Sequence, residues 1–452
     1  MKINQIFKHL KYFINPVWYF YLDSTKNNSI WISYDDMPEE VKKVINYFPN
    51  YNNEYFVLID CTYQAWARGY INNDSGKNLD ELDISIKKIK SDRYLFTRRM
   101  FKPIWSWYTL LMQILTFNNP LKEIYYFFKA FKIKQINLNT PYYDYKDYDQ
   151  FQSLLINQGP LVSLIIPTLN RYEYLENLLL DLSKQKYENF EIIIIDQSNP
   201  FNEDFYDKHN LNIKVVYQEK PGLWKARNNA IKISNGDYIL LCDDDSKINS
   251  DWIIQHLKCI DYFNSDISAG VSISTKGGPI PAHYSYFRWA DQLDTGNVLL
   301  KREVFKKCGF FDLQFEGMRM GDDEFGVRAY RNGFRSINNP LAKRMHFKVD
   351  HGGLREMGSW DGMRPMKWFA ARPIPSILYH FRKNWGNKSA IFFLVQNLPI
   401  SLSSYKYKGT KLGYLISFLK FVFLFPLIFF QVSKSWILST KKLSEGDRIT
   451  KY

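Results

Sequence analysis

From Leu161 onward, short apolar runs alternate with longer stretches whose apolar residues recur at helical spacing. The order is LVSLII, a helix over about Glu173 to Lys184, FEIIIID, IKVVYQ, a helix through Ala226 to Ile233, and YILLC. Runs this short and this continuously apolar suit strands buried on both faces. Their alternation with helices predicts an α/β domain built on a mostly parallel sheet. No GxGxxG follows the first strand and no GxxxxGK[ST] occurs along the chain, so the usual glycine-rich phosphate cradles are missing.

The flanks read differently. A boundary falls near Asn157 to Pro160, where the Tyr- and Asp-rich NTPYYDYKDYDQF gives way to LVSLIIPTLN. Ahead of it, YFVLID over Tyr55 to Asp60 is a candidate strand, and Ile104 to Ile133 reads as aromatic helices broken at Asn118 to Pro120. The opening MKINQIFKHLKYFINP interleaves lysines with apolar residues and has no small-residue cleavage site, which argues for a short amphipathic helix and against a secretory signal. Toward the other end, Phe421 to Phe430 is continuously apolar, but Lys420 and Pro426 interrupt the longer run from Leu412 to Val432. A bilayer crossing wants about 20 mostly apolar residues. A helix or helix pair lying in the membrane interface is the expectation, with burial of the same helices on the central domain as the alternative. The chain thus divides into an N-terminal extension (1–158, α/β or helical), a Rossmann-like α/β domain (159–370) and a C-terminal aromatic and basic helical region (371–452).

Composition sharpens the picture of the flanks. Aromatic residues reach 17%, and the net charge is +14, half of it from Ser401 onward, where nine Lys/Arg face only Glu445 and Asp447. No zinc spacing, RNA-recognition signature or arginine-rich run accompanies that charge, which excludes nucleic acid as a partner and favours an anionic membrane surface. Cys61, Cys242, Cys259 and Cys308 stand far apart without a CxxC pair, so neither a disulfide framework nor a zinc site is indicated and a reducing cytoplasm is the default.

The chemistry concentrates at YILLCDDDS, where an apolar strand runs straight into Asp243, Asp244 and Asp245. Carboxylates crowded at the carboxyl end of a strand repel one another unless a hard cation sits among them, and such oxygens suit Mg2+ or Mn2+. Open α/β sheets bind ligands at that end of their strands. The plainer alternative is an acidic turn leading into the helix that Asp251 and Trp252 open.

Several blocks, taken in order, carry a resemblance. VSLIIPTLNRYEYLENLLLDLSKQKYENFEIIIIDQS, EKPGLWKARNNAIKISNGDYILLCDDDSKINSDW, TGNVLLKREVFKKCGFFDLQFEGMRMGDDEFGVRAYRNGF and MHFKVDHGGLR together resemble the family 2 glycosyltransferases of GT-A fold, of the bacterial surface-polysaccharide type, over about Leu161 to Arg355. The resemblance implies that Pro167, Thr168, Asn170 and Asp196 surround the nucleotide base and ribose. The second strand ends in Asp196 followed by Gln197, where the family usually has two acids; an amide both donates and accepts, so it suits a uracil-like edge. Asp243 and Asp245 match the DxD pair, with Asp244 as a supporting neighbour. Gly222 admits a tight entry to a helix carrying Lys225, Arg227 and Asn228, and Arg227 is assigned to the diphosphate.

On the acceptor side, DDEFGVR places Asp322 at the family's catalytic base, with Asp323 as the rival. His346 or His351 completes the metal site, and Gly352 and Gly353 would let that loop close over the diphosphate. The implied function is inverting transfer of a sugar, in one metal-assisted displacement, from a nucleotide-diphosphate donor to a hydroxyl of a glycan or lipid-linked glycan. The implied place is the inner face of the cell membrane. A non-catalytic carbohydrate- or membrane-binding protein on the same fold is the alternative. A nucleotidyltransferase would also use a metal and carboxylates, but PTLNRYEYL lacks the glycines it needs.

Overall fold

In the computed structural model of this 452-residue chain, the structure describes residues 22, 31–72, 86–138, 143–274, 280–349, 362–365, 367–403, 407 and 410–452. The N-terminal amphipathic segment, His351 and the glycines beside it lie outside the described residues.

The described part of the N-terminal extension is helical: α1 (Glu54–Ala67), α2 (Ile86–Met100), α3 (Ile104–Leu115) and α4 (Pro120–Ala130). Tyr55 to Asp60 is therefore helix and not strand. Asn53 caps it by accepting from the Tyr55 amide at 2.9 Å, Glu54 sits in the first turn, and apolar residues continue to Trp66, so the segment is more than twice a strand's run and buried nearly all round. The break at Asn118 to Pro120 stands as expected, with Asn119 capping α4 and Pro120 in its first turn. Buried ion pairs bind these helices together. Arg99 reaches Asp60 at 2.7 Å, joining α2 to α1, and Arg93 reaches Glu123 at 2.7 Å, joining α2 to α4.

The α/β domain follows as β1 (Val162–Thr168), α5 (Tyr172–Leu182), β2 (Phe190–Asp196), β3 (Ile213–Tyr217), α6 (Leu223–Ile233), β4 (Tyr238–Cys242), β5 (Ser246–Ile248), α7 (Trp252–Tyr262), β6 (Ile267–Ser274), β7 (Arg288–Trp289), β8 (Asn297–Lys301), α8 (Arg302–Cys308), α9 (Gly321–Arg331) and β9 (Ser336–His346). The sheet order is β3-β2-β1-β4-β8-β6-β9-β5, with β7 against β9. The four strands legible in the sequence are mutually parallel; β8 enters antiparallel between β4 and β6, and β9 lies parallel to β6. The sheet is thus mostly parallel.

Alternation of side chains across the pleat explains the apolar runs. Val162, Leu164, Ile166, Ile192, Ile194 and Leu240 face α5 and α7. Ile165, Ile193, Ile195, Ile239 and Leu241 face α6 and a core that continues without a break into the N-terminal helices through Trp66 and Phe96.

Three C-terminal helices complete the molecule: α10 (Pro375–Ser401), kinked at Gly386, then α11 (Lys411–Phe423) and α12 (Phe425–Glu445). The last two are bent by 80° at Leu424, and among the described residues no single helix is long and apolar enough to cross a membrane. The segment after α12 returns to the α/β domain, where Phe310 N donates to Thr450 O and Leu313 N donates to Arg448 O.

Under the sheet's carboxyl edge, one amide organises four elements. Asn297 accepts from Trp252 Nε1 at 2.9 Å and donates to the carbonyls of Val271 and Ala342, while His256 Nε2 approaches its oxygen at 3.1 Å. Burial pushes the His256 imidazole down to about 4, so it is neutral in the folded protein. The unfolded chain, with an imidazole near 6.5, takes up that proton first as pH falls. Stability should therefore be complete above about pH 6.5 and decline toward about pH 4, with a loss of about 2 kcal/mol by pH 5. Urea denaturation at several pH values checks this: His256→Asn should flatten the slope above the carboxylate range, and an unchanged slope would refute it.

Candidate active site

Asp243 to Asp245 leave β4 beside the end of β1, its parallel neighbour. Thr168, the last residue of β1, donates its hydroxyl to Asp244 Oδ2 at 2.8 Å, and Arg171 approaches Asp244 Oδ1 at 3.2 Å and Asp245 at 3.6 Å. Asp244 thereby ties the two strand ends together. Burial raises its pKa to about 6 against the pull of Arg171. Asp251, which opens α7, makes no side-chain capping bond.

Asp243 rests on two guanidinium groups. Arg227 Nη2 lies 2.7 Å from one oxygen and Arg344 Nη1 lies 3.1 Å from the other. Arg344, 1% exposed, also bonds Ser272, Ser246 and Asp294. Burial opposes its charge, but Asp294 and Asp243 outweigh burial and raise its pKa; in return Arg344 overcomes burial at Asp294 and holds that carboxyl low. The network closes only because residue 296 is glycine. A Cβ there would stand 2.2 Å from Arg344 Nη2 and 2.3 Å from Asp243 Oδ2.

Asp243, Asp245 and His346 each offer a ligand atom, and the three atoms lie within 4.8 Å of one another. Strand register delivers the histidine: Ser246 of β5, directly after Asp245, pairs with His346 at the end of β9. Asp245 Oδ1 is buried 3.2 Å from His346 Nε2 without a hydrogen bond of acceptable geometry. Burial would raise the Asp245 pKa, but the imidazole outweighs it and keeps the carboxyl below the usual range. Two carboxylates and an imidazole fit Mn2+ well and Mg2+ acceptably.

The residues expected around the nucleotide cluster at the ends of β1 and β2. Pro167 and Thr168 are buried in β1, and Asn170 adopts φ 53° in the following turn, its side chain accepting from Asn199 N. Asp196 accepts from Tyr172, Tyr206 and the Ser198 amide. Gln197 turns its oxygen to Gln218 and the Gly222 amide, and its buried Nε2 has no hydrogen-bond partner among the described residues. Arg227 points inward to Asp243 and the Thr295 carbonyl, with 1% of its surface exposed. The start of α6 is already capped: Glu316 accepts from the amides of Trp224 and Lys225.

The three acids at the start of α9 have separate surroundings. Glu324 is buried, paired with Arg328 at 2.9 Å and Lys383 at 3.1 Å, and those cations overcome burial and hold its pKa low. Asp323 meets His380 of α10 at 2.7 Å. Asp322 is half-buried and accepts from the Asp323 amide at 2.9 Å. Gly321 lies so close to the Trp224 ring that a Cβ would be 2.5 Å from it, and that ring lies 5.2 Å from the guanidinium of Arg227. The acidic turn of α9 is thus linked to Asp243 through Trp224 and Arg227. Sequence reasoning missed Arg171, Asp294, Glu316, Arg344 and His380; only the TGN motif before β8 hinted at the close approach that the Arg344 network requires.

Residues 163–324 match the profile of Glycosyl transferase family 2. The poly(ribitol-phosphate) beta-N-acetylglucosaminyltransferase TarS of Staphylococcus aureus is 31% identical over 112 residues, 23% of this chain and 20% of that protein. The amylovoran biosynthesis glycosyltransferase AmsB of Erwinia amylovora is 27% identical over 208 residues, 40% of this chain and 68% of that protein. Among solved structures, S. aureus TarS 1-349 in complex with UDP-GlcNAc has a TM-score of 0.39 at 19% identity, covering 57% of this chain and 80% of that one. The chain spans less than a third of the length of the first curated relatives it matches.

Gly296→Ala should force Arg344 and Asp243 apart, costing about 1–3 kcal/mol of stability as overpacking does. It should also weaken Mn2+ binding, measured by calorimetric titration. Unchanged Mn2+ affinity would separate Asp243 from the cation site.

Proposed function

We propose that this chain, whose residues 163–324 belong to glycosyl transferase family 2, transfers a sugar from a nucleotide-diphosphate donor to a hydroxyl of a glycan or lipid-linked glycan, by a single inverting displacement. The observation that carries this reading is the convergence of the Asp243, Asp245 and His346 ligand atoms at the carboxyl end of β4.

Asp243, Asp245 and His346 would hold Mn2+ or Mg2+, which when bound supplies positive charge to the departing diphosphate. The protein's own groups do the rest. Arg227 and Arg344 fix Asp243 from below, so little reorganisation accompanies donor binding. Pro167, Thr168, Asn170 and Asp196 shape the nucleotide end, and the unpartnered Gln197 Nε2 is suited to donate to a base carbonyl. Asp322 takes the acceptor proton as the hydroxyl oxygen attacks the anomeric carbon. Asp322 stands half-buried in the acidic first turn of α9.

The flanks support work at a membrane. Apolar side chains stand out from α3, α4, α11 and α12, with Phe117 98% and Phe423 82% exposed, interspersed with Lys122, Lys129, Lys411 and Lys420. Such a face suits the interfacial layer of an anionic bilayer and supports the reading that the enzyme works at the inner surface of the cell membrane. The division into residues 1–158, 159–370 and 371–452 belongs to the same reading.

Incubation with a panel of nucleotide sugars and Mn2+, following nucleoside diphosphate release, tests it. One donor should be hydrolysed slowly, Asp245→Ala should abolish release, and Asp322→Asn should keep donor binding while lowering transfer by about 100-fold or more. Release of pyrophosphate would indicate nucleotidyl transfer. Neither release nor donor binding across the panel would point to the non-catalytic alternative.

A further inference from the structure

His380 lies in the first half of α10 with none of its side chain exposed, its ring set edge-on against Phe381 and Trp385. The amide of Asn384, one turn further on, can face that ring in only one way. Its oxygen accepts from Arg331 Nη1 at 2.8 Å, and a guanidinium only donates. Its nitrogen donates to the His380 carbonyl at 3.1 Å, and a carbonyl only accepts. The same nitrogen stands 3.2 Å from His380 Nδ1. Nδ1 therefore accepts, and the ring proton belongs on Nε2.

Nε2 in turn stands 2.7 Å from Asp323 Oδ2 but without the geometry of a hydrogen bond, so its buried N–H is left unmet. A buried donor in that condition costs about 1–3 kcal/mol, and a turn of the Asp323 carboxylate about its own Cβ–Cγ bond would satisfy it. The Asp323 side chain keeps 27% of its surface in solvent, so the carboxylate is backed by the ring on one side and reachable from another. Its amide donates to Asp322 Oδ1 at 2.9 Å, so what holds Asp323 also holds an oxygen of its neighbour. The whole of α10 lies outside residues 163–324, the part of the chain that matches the family profile.

We propose that His380 is a positioning residue for sugar transfer: its Nε2–H, fixed by Asn384 and Arg331, holds the Asp323 carboxylate toward the acceptor beside Asp322. The C-terminal helix thereby completes the acidic turn of α9 from outside the family's own residues. The tautomer stands by itself, whereas the role in transfer rests on the glycosyl-transfer reading above.

Nitrogen NMR of the full chain labelled in histidine tests the tautomer. The ring whose signals vanish in His380→Phe should show a bare Nδ1 and a protonated Nε2; the reverse pattern, or two protonated nitrogens, would overturn the proposal. The role is read from slow hydrolysis of the donor that the nucleotide-sugar panel selects, with water in place of the acceptor. His380→Phe should lower its turnover about tenfold, as loss of one hydrogen bond to a charged group does, with donor affinity unchanged in calorimetry. His380→Gln, which keeps an N–H, should recover most of that loss, and Asn384→Ala, which keeps the ring but not its tautomer, should share it in part. In an Asp323→Asn background, His380→Phe should lower turnover no further, because its effect passes through that carboxylate. Additive losses, equal losses in the Gln and Phe variants, or loss of donor affinity alongside turnover would reduce His380 to packing, and undiminished turnover in His380→Phe would remove it from the site; each outcome overturns the proposal. Absence of hydrolysis of every donor by the unmodified chain, with the tautomer as expected, would instead count against the transfer reading alone.

Discussion

Asp243 sits on two arginines that water barely reaches, and the cleft depends on that arrangement. Removing a charge from water costs several kcal/mol, recovered only when every partner is present and well placed. Here Arg227, Arg344, Asp243 and Asp294 alternate in sign, Ser246 and Ser272 fill remaining donor positions, and Gly296 leaves room for the groups to close. The network therefore stands complete or not at all, and it fixes Asp243 relative to Asp245. It also lets carboxylates crowd together before any cation arrives, because positive charge already lies beneath them. The neighbouring acids divide accordingly: Asp245 is kept ionised by His346, while burial moves Asp244 toward neutrality, where it serves as a strand tie.

The half of the fold that was legible in the sequence is the half made by local pattern. LVSLII, FEIIIID and YILLC became β1, β2 and β4 because each is covered on both faces, which leaves no polar alternation to mistake for helix, whereas IKVVYQ became β3 at the sheet edge with Lys214, Val216 and Tyr217 exposed. YFVLID has the same composition and became helix, since Asn53 and Glu54 offer a helix start and the apolar run continues past any strand's length. The triplet after YILLC and His346 could be found because acid clusters and histidines are rare and conspicuous. Arg344 and Asp294 could not, because their partners lie 101 and 50 residues away and nothing local distinguishes them from surface charges. The same limit concealed Glu316, which occupies the helix start that Gly222 appeared to reserve for a phosphate only when read along the chain.

The aromatic and basic composition of the flanks favours a membrane surface, but it carries no sign of the contacts they make at the start of α9. α10 supplies His380 to Asp323 and Lys383 to Glu324, and Lys383 extends the same charge to Asp447 of the returning C-terminal segment at 2.8 Å. The N-terminal helices are joined to the sheet by a continuous core and to α10 by Gln396 and Tyr108 at 2.8 Å. That last bond sets α3 beside the C-terminal bundle, so the exposed apolar residues of α3 and α4 and those of α11 and α12 belong to neighbouring elements. Apolar surface left in water forgoes about 25 cal/mol for each Å2 that burial would have stabilised. The exposed apolar side chains of α3, α4, α11 and α12 contrast with strands β1, β2 and β4, whose side chains are almost wholly buried. α10 links the acids at the start of α9 to α11 and α12, the helices that leave the most apolar surface in water.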